Sequence, residues 1–380
     1  DYFNFIYLLN FYAQIKIILQ NYKMKTYTKF LINSFIKSFL NVFFIMLCLV
    51  FILNILKEIE FFSNKEVQSL YPIYLSIMSS PSIIFEMFPF IFLIATQFFF
   101  LKLFNNDEIN IFKYSGLKNI KIIYILSFVS FVIGILAITT FYSLSSNLQH
   151  YYLQIKNQFS DDKLYLAVIN KNGLWMKDVV NNQTSIINSS KIDNNFLTNT
   201  FITTFDDEFN LIKSLKSDKI DIRDNEWLIY DVTIFEGNMS KKKDLIKFKS
   251  NFNQKKIESL FSNLSSLSLL KLIDLRRNYK SLNYSTVDVD MQIYKVTTYP
   301  LILVIMTVLS SVIMLNTKKS NSKVIKIIIG LFFSVIIYYI NNFFNVMGST
   351  EKLPLIVSVW TPIIFLSLVN LIMLLNINEK

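Results

Sequence analysis

The sequence predicts an α-helical membrane protein with six transmembrane helices, grouped 3 + 3, and an extracytoplasmic β domain inserted between the third and the fourth. Of the 380 residues, 53% are hydrophobic and 37 are phenylalanine. The hydrophobic residues are concentrated in runs of about 20, the length that crosses the hydrocarbon core of a bilayer. Between the third and fourth runs, polar and apolar residues instead alternate as they do in β-strands.

The runs divide the chain into consecutive parts. We interpret residues 1–23, which precede the first methionine, as an upstream extension outside the fold. Residues 24–143 hold three spans, residues 144–292 form the inserted domain, and residues 293–380 hold the other three spans. The predicted spans are Phe35–Leu56, Ile83–Leu103 (broken near its start by Pro81 and Pro89), Ile122–Tyr142, Tyr299–Leu315, Val324–Phe344 and Leu355–Leu375.

The distribution of lysine predicts the orientation. The N-terminal segment and the connections 105–121 and 316–326 are rich in lysine, whereas 57–80 and 346–354 carry fewer lysines and more compensating acids. Lysine-rich connections stay on the cytoplasmic side of a membrane. Both termini are therefore expected in the cytoplasm and the inserted domain outside it.

The inserted domain is predicted to be a β-sandwich or roll. Lys163–Ile169 and Gly173–Val180 read as a hairpin around a turn that contains glycine. Trp175 and Trp227 are expected to anchor the core or a cavity. Lys241–Lys243 are expected to form a solvated loop, the alternative being a functional patch. Further strands are predicted at 200–205, 209–215, 219–223 and 227–235, and a helical pattern follows at 262–279.

The connection 105–117 between the second and third spans has the signals of a short helix. Asn106 is expected to cap it, and Asp107 and Glu108 lie where the helix dipole favours carboxylates. Its remaining signals are an apolar edge and a polar stop: Ile109, Phe112, Lys113, Ser115 and Gly116. A turn between membrane helices needs only a few residues. A helix here is therefore either a docking surface or an interfacial helix that lies on the headgroups, and the residues alone leave both open.

The sequence offers no candidate for catalysis. It contains no GxxxxGK[ST], GxGxxG, GxSxG or HExxH motif, and only six glycines, one cysteine and one histidine. The net charge of +11 comes from lysines that crowd the ends of the spans, so nucleic acid is not an expected partner. We expect no cofactor or metal on this chain, and any nucleotide chemistry on a partner.

The order of these features resembles the LptF/LptG (YjgP/YjgQ) permease family. The local matches are Asp107–Ile109 with Tyr114–Gly116, similar to the family's "SEL…SG" coupling helix; Gly173–Asp178, similar to the "G-[VL]-W-x-[RK]-[DE]" strand of the LptG branch; Lys295 before Pro300; and Gly330–Phe344 followed by Leu353–Pro354. The first of these matches would make the connection a coupling helix. The second and the last favour the LptG branch over LptF.

The resemblance implies a permease subunit of an ATP-driven ABC transporter, with a β-jelly-roll domain in the periplasm. Such a subunit extracts lipopolysaccharide from the bacterial inner membrane and passes it to a periplasmic bridge. The implied partners are an LptB-type ATPase dimer that binds the ATP and Mg²⁺, a paralogous LptF-type permease and an LptC-like bridge protein. The implied ATPase-coupling residues are Asp107, Glu108, Ile109, Phe112, Ser115 and Gly116, and the implied lipid-binding residues are Lys57 and Lys295.

Alternatives remain at this point. The protein could instead be a non-transporting scaffold or receptor whose β domain senses a ligand, or an ABC permease for another lipid or lipoprotein. Lys57 either contacts lipid or simply snorkels to the interface. The phenylalanines of the second span either line an acyl-chain cavity or face lipid: Phe85, Phe88, Phe92 and Phe98–Phe100.

Overall fold

The computed structural model describes residues 25–63, 70–159, 174–193, 195–237, 239–254, 257, 263–281, 284–316 and 323–378. The chain divides into two compact units, residues 1–142 with 294–380, and residues 143–293. The predicted extension 1–23 and the predicted strand 163–169 with its turn lie outside the described residues.

Within the described residues, six helices are long and apolar enough to cross a membrane. They belong to α1 (Thr26–Phe62), α2 (Tyr71–Asn105), α4 (Asn119–Leu136), α7 (Val287–Asn316), α8 (Lys323–Ser349) and α9 (Leu355–Asn378). The helix of α4 continues through a π-helical segment, Ala137–Tyr142, into α5, Ser143–Gln158. The short α3, Glu108–Tyr114, joins α2 to α4, and α6 is Leu269–Ser281. The predicted fold class, a helical membrane protein with an inserted β domain, is confirmed.

Helix α7 is the most buried of the spans, and small or polar side chains let its neighbours approach it. A Cβ on Gly134 of α4 would lie 2.8 Å from the Cα of Pro300, so only glycine fits there. One helical turn or so away, the hydroxyls of Ser130 and Thr307 are 2.8 Å apart. On another side, Ser310 Oγ donates to the carbonyl of Leu93 in α2 at 2.8 Å. Such contacts hold helices together where lipid removes the hydrophobic driving force between them.

The prediction that prolines break the second span is wrong. Pro81 and Pro89 both lie inside the continuous helix α2. Pro89 has no N–H to donate to the carbonyl of Phe85, one turn earlier. The hydroxyl of Tyr299 donates to that carbonyl instead. A neighbouring helix therefore satisfies the group that the proline leaves free, which is how membrane helices tolerate proline.

Most phenylalanines of α2 pack inside the subunit, so neither an open cavity nor a lipid-facing surface describes them. Five are buried: Phe85, Phe88, Phe92, Phe99 and Phe100. Phe88 contacts Phe43 of α1 and Phe141 of the π-helical segment, with ring centroids 5.9 and 5.1 Å away. Phe98 alone of the six is exposed.

The second unit contains a six-stranded antiparallel sheet in which each described strand pairs with the next along the chain. The strands are β1 (Leu174–Val180), β2 (Gln183–Asp193), β3 (Phe196–Phe205), β4 (Leu211–Asp221), β5 (Glu226–Glu236) and β6 (Met239–Lys249). This meander is a simpler order than the two Greek keys of a jelly roll. The predicted strands 209–215 and 219–223 form one strand, and the unit begins with a helix, α5, that the β pattern did not predict.

The side chains on one face of this sheet are largely buried. The segment after β6 folds back over the sheet. Trp227 is fully buried, and its Nε1 donates to the carbonyl of Phe252 at 2.8 Å, as expected of a core anchor. Trp175 is 57% exposed, so the prediction that it anchors the core is wrong: it lies on the outward-facing positions of β1. Lys241–Lys243 are exposed as predicted, but they belong to strand β6 and not to a loop.

Candidate functional site

The helix α3 begins differently from the sequence-based prediction. Asn106 ends α2 and does not cap α3; its Nδ2 donates to Glu108 Oε1 at 3.1 Å. The N-cap position belongs to Asp107, whose φ of 54° is left-handed, a conformation that aspartate and asparagine adopt more readily than most residues. Asp107 Oδ1 accepts from Asn110 Nδ2 at 3.3 Å. The sharp turn from α2 into α3 is thus built from these short polar side chains.

The end of α3 follows the predicted stop. Gly116 has φ 78°, its N–H donates to Lys113 O at 3.0 Å, and the N–H of Leu117 donates to Phe112 O at 2.9 Å. These two bonds form a Schellman motif, in which glycine supplies the left-handed residue. Ser115 Oγ adds a bond to the carbonyl of Ile111 at 2.8 Å. The C-terminal end of this 7-residue helix is therefore closed by local hydrogen bonds, whereas the side chain of the N-cap residue Asp107 does not bond to the backbone of the first turn.

One face of α3 packs on the subunit and the other is open. Ile109 is buried, and Phe112 contacts Phe30 of α1 with ring centroids 6.1 Å apart. Ile111 and Tyr114 are 59% and 90% exposed. A shallow groove of about 380 Å³ separates α1 from α3, and it is lined by Thr26, Tyr27, Phe30, Glu108, Ile111 and Phe112. The open face is thus largely apolar and lies beside a groove.

Glu108 is half-buried at the edge of that groove. Its Oε1 accepts from Asn106, while Oε2 is enclosed and has no hydrogen-bond partner among the described residues. A carboxylate oxygen in this position is costly to leave unpaired. The six predicted coupling residues therefore lie on α3 and in the turns at its two ends, and Glu108 lines the groove beside α1.

The two predicted lipid-binding lysines lie on different helices. Lys57 is exposed near the end of α1, and Lys295 is half-buried in the third turn of α7. Lys295 lies within electrostatic range of Glu86, an exposed carboxylate in α2. Sequence reasoning missed Glu86, although a single acid within an apolar run was a signal that could have found it.

The glycine of the family-like stretch in α8 has a packing role. A Cβ on Gly330 would lie 2.0 Å from Nε2 of Gln97 in α2, and that nitrogen donates to the carbonyl of Lys326 at 3.0 Å. Lys326 Nζ in turn donates to Met314 O in the last turn of α7 at 3.3 Å and lies 5.1 Å from the ring centre of Phe104. A cation at a helix C-terminus is favourable. These contacts tie α8 to α2 and α7.

The family-like strand in β1 also has a structural explanation. Gly173 lies outside the described residues, but Asp178 is buried and accepts from Ser250 Oγ at 2.7 Å and from Asn251 N and Nδ2 at 3.1 and 2.9 Å. It therefore joins the first strand to the segment after the last. The N–H of Lys177 donates to Tyr284 Oη at 2.9 Å.

Two shifted pKa values in the second unit have simple causes. Hydrogen bonds from the Arg223 guanidinium hold the pKa of Asp221 below its ordinary value, and burial raises the pKa of the Tyr284 hydroxyl. Both groups keep their usual charge at neutral pH. Among the described residues, no group of three or more histidine, cysteine, aspartate or glutamate side chains could hold a metal ion.

Six spans, an inserted β domain and a short helix in a connection define a polytopic membrane protein. The model of the family described as lipopolysaccharide export system permease LptF/LptG matches residues 29–376, nearly the whole chain. A search of curated proteins finds no match. The chain belongs to the LptF/LptG family and is a multi-pass inner-membrane protein, a lipopolysaccharide export permease by family. The match does not separate the LptF branch from the LptG branch.

Proposed function

We propose that this chain is the transmembrane subunit of an ATP-driven transporter that extracts lipopolysaccharide from the inner membrane and passes it to a periplasmic bridge. An LptB-type ATPase dimer would bind the ATP and Mg²⁺, and a paralogous permease would complete the membrane part. In this orientation both termini and α3 are cytoplasmic, and the β domain is periplasmic, as the lysine distribution favours.

The open face of α3 is the observation that carries the proposal. A seven-residue helix that ends in a Schellman motif and exposes Ile111 and Tyr114 beside a groove is a surface for another protein. ATP binding would close the ATPase dimer and move α3. Because α3 is joined to α2, this movement would reach the contacts between α2 and α7. The free energy of ATP binding would then change the relative stability of the open and closed states of the permease.

The β domain would receive the lipid and hand it on. Strand β6 is exposed along its length and, among the described strands, pairs with β5 alone. An edge of this kind can accept a strand from a bridge protein with a similar sheet. The lysines of β6 oppose pairing with a basic strand and favour pairing with an acidic one.

Two variants of α3 test the coupling role. Glu108→Arg places a cation in the groove, and Ile111→Asp changes only the open face. Both variants are expected to reduce ATPase co-purification from mild detergent at least tenfold. The reason is that each loses a docking contact of about 1.4 kcal/mol or more. Lys113→Arg, at an exposed position of the same helix, keeps the charge of the side chain; it is the control and should leave co-purification unchanged.

Membrane insertion must be equal in all three variants, measured as the yield of folded protein in the membrane fraction. Normal ATPase co-purification and normal lipid release by Glu108→Arg and Ile111→Asp together would contradict the proposal.

A further inference from the structure

Glu86 is the one acidic residue of α2, and its side chain is exposed on the subunit surface. An ionisable side chain within a transmembrane helix is costly unless it meets water, a partner or an opposite charge, and it therefore commonly marks a functional site.

The opposite charge comes from α7. The ring of Phe85 stacks on Tyr299 with centroids 4.5 Å apart and planes 16° apart, and the Tyr299 hydroxyl donates to the Phe85 carbonyl. Glu86 follows Phe85 directly, and Lys295 precedes Tyr299 by one helical turn. The stacked pair therefore brings these parts of α2 and α7 together and puts the Lys295 ammonium within electrostatic range of the Glu86 carboxylate.

Both charges also lie at one depth. At about 1.5 Å per residue, Glu86 is about 28 Å from the Asn105 end of α2, and Lys295 is about 31 Å from the Asn316 end of α7. These two ends lead into the lysine-rich connections, so the pair lies at the opposite border of a hydrocarbon core of about 30 Å. The phosphates of an outer-leaflet lipid lie at that border.

We propose that Glu86 is the counter-ion of Lys295 and competes with the phosphate of an anionic lipid for it. The inference rests on the proposed function, since it concerns how a transported lipid is released. Without lipid, the carboxylate neutralises the ammonium at the edge of the hydrocarbon. When a phosphate-bearing headgroup contacts Lys295, it meets the negative charge of Glu86, which keeps binding weak enough for the lipid to move on.

The test measures release of fluorescent lipopolysaccharide from the complete complex in nanodiscs of neutral phospholipid. Glu86→Gln keeps the shape of the side chain and removes its charge, so release is expected to slow on the order of tenfold. Glu86→Asp keeps the charge and should release at nearly the wild-type rate. Glu60→Gln, an exposed carboxylate on α1, is the matched control and should leave release unchanged.

A double variant separates competition from a structural effect. Lys295→Gln should weaken retention several-fold, and adding Glu86→Gln to it should change nothing further, because no ammonium remains to be contested. Wild-type release in Glu86→Gln, or equal slowing in the Lys295→Gln background, would overturn the inference. Inorganic phosphate that displaced the label as well as anionic lipid does would overturn the assignment to a lipid. Failure of the wild-type complex to retain lipopolysaccharide would contradict the proposed function itself.

Discussion

Several of the larger polar side chains inside this protein donate to the main chain of another segment. Gln97 donates to the carbonyl of Lys326, Asn370 to that of Ile305 at 3.1 Å, and Trp227 to that of Phe252. Each bond satisfies a buried donor that would otherwise cost about 1–3 kcal/mol. Each also fixes the register of two elements that are far apart in sequence.

Asp178 makes the clearest residue-scale prediction. Replacing it with alanine removes the Asp178 acceptor of Ser250 Oγ and of Asn251 N, whereas Asn251 Nδ2 still donates to the carbonyl of Val179, so we expect a loss of about 2–4 kcal/mol in the stability of the sheet. Hydrogen exchange of β1 peptides, followed by mass spectrometry in the detergent-solubilised protein, measures the change.

The matched control is Asp244→Ala, an exposed acid in β6 that should change stability by no more than about 0.5 kcal/mol. Equal protection of β1 in Asp178→Ala and in the wild-type protein would show that this carboxylate does not close the sheet.

At the scale of single residues, the sequence predicted those features that depend only on neighbouring residues in the chain. Gly116 follows a short helical pattern, and it ends α3 as expected, because a helix stop depends on the residues beside it. The left-handed turn at Asp107 was missed, since Asn106 and Asp107 are equally good caps and only the path of α2 decides between them. Trp175 and Trp227 likewise look alike in sequence, and only the strand register puts one inside and the other outside.

At the scale of elements, hydrophobic run length predicted the spans but not how they pack. The helices extend beyond the apolar runs: α1 begins at Thr26, not Phe35, and ends at Phe62, not Leu56. The prolines of α2 show why packing was not predictable. Local hydrogen bonding alone predicts that a proline breaks a helix. The hydroxyl that bonds the free carbonyl of α2 lies more than 200 residues away, on Tyr299 of α7.

A double-mutant cycle tests that contact. Tyr299→Phe removes the donor to the Phe85 carbonyl and should destabilise the helical unit by about 0.6–1.7 kcal/mol, the range of single hydrogen bonds between membrane helices. In a Pro89→Ala background, the restored N–H of residue 89 supplies the bond, and the same change should cost less. Thermal unfolding in mild detergent measures both effects; an equal cost in the two backgrounds would contradict this explanation of Pro89.

At the scale of the whole molecule, the fold class and the family were predictable, because both depend on the order of long runs and motifs along the chain. The sequence predicted six spans with an inserted β domain, and the match over residues 29–376 agrees with the resemblance. The proximity of Glu86 to Lys295 was not predictable, because it depends on which faces of α2 and α7 meet. Residues 209 positions apart carry no local signal that they lie near each other.

In the proposed function, this permease turns ATP hydrolysis on a partner into movement of lipopolysaccharide. The most direct test is transfer of lipopolysaccharide from proteoliposomes containing the complete complex to a soluble LptC-like acceptor. We predict transfer that requires ATP and the ATPase, and that falls at least tenfold in Ile111→Asp while the variant still inserts in the membrane. Transfer at the same rate without ATP, or no transfer by the wild-type complex with ATP, would contradict the account.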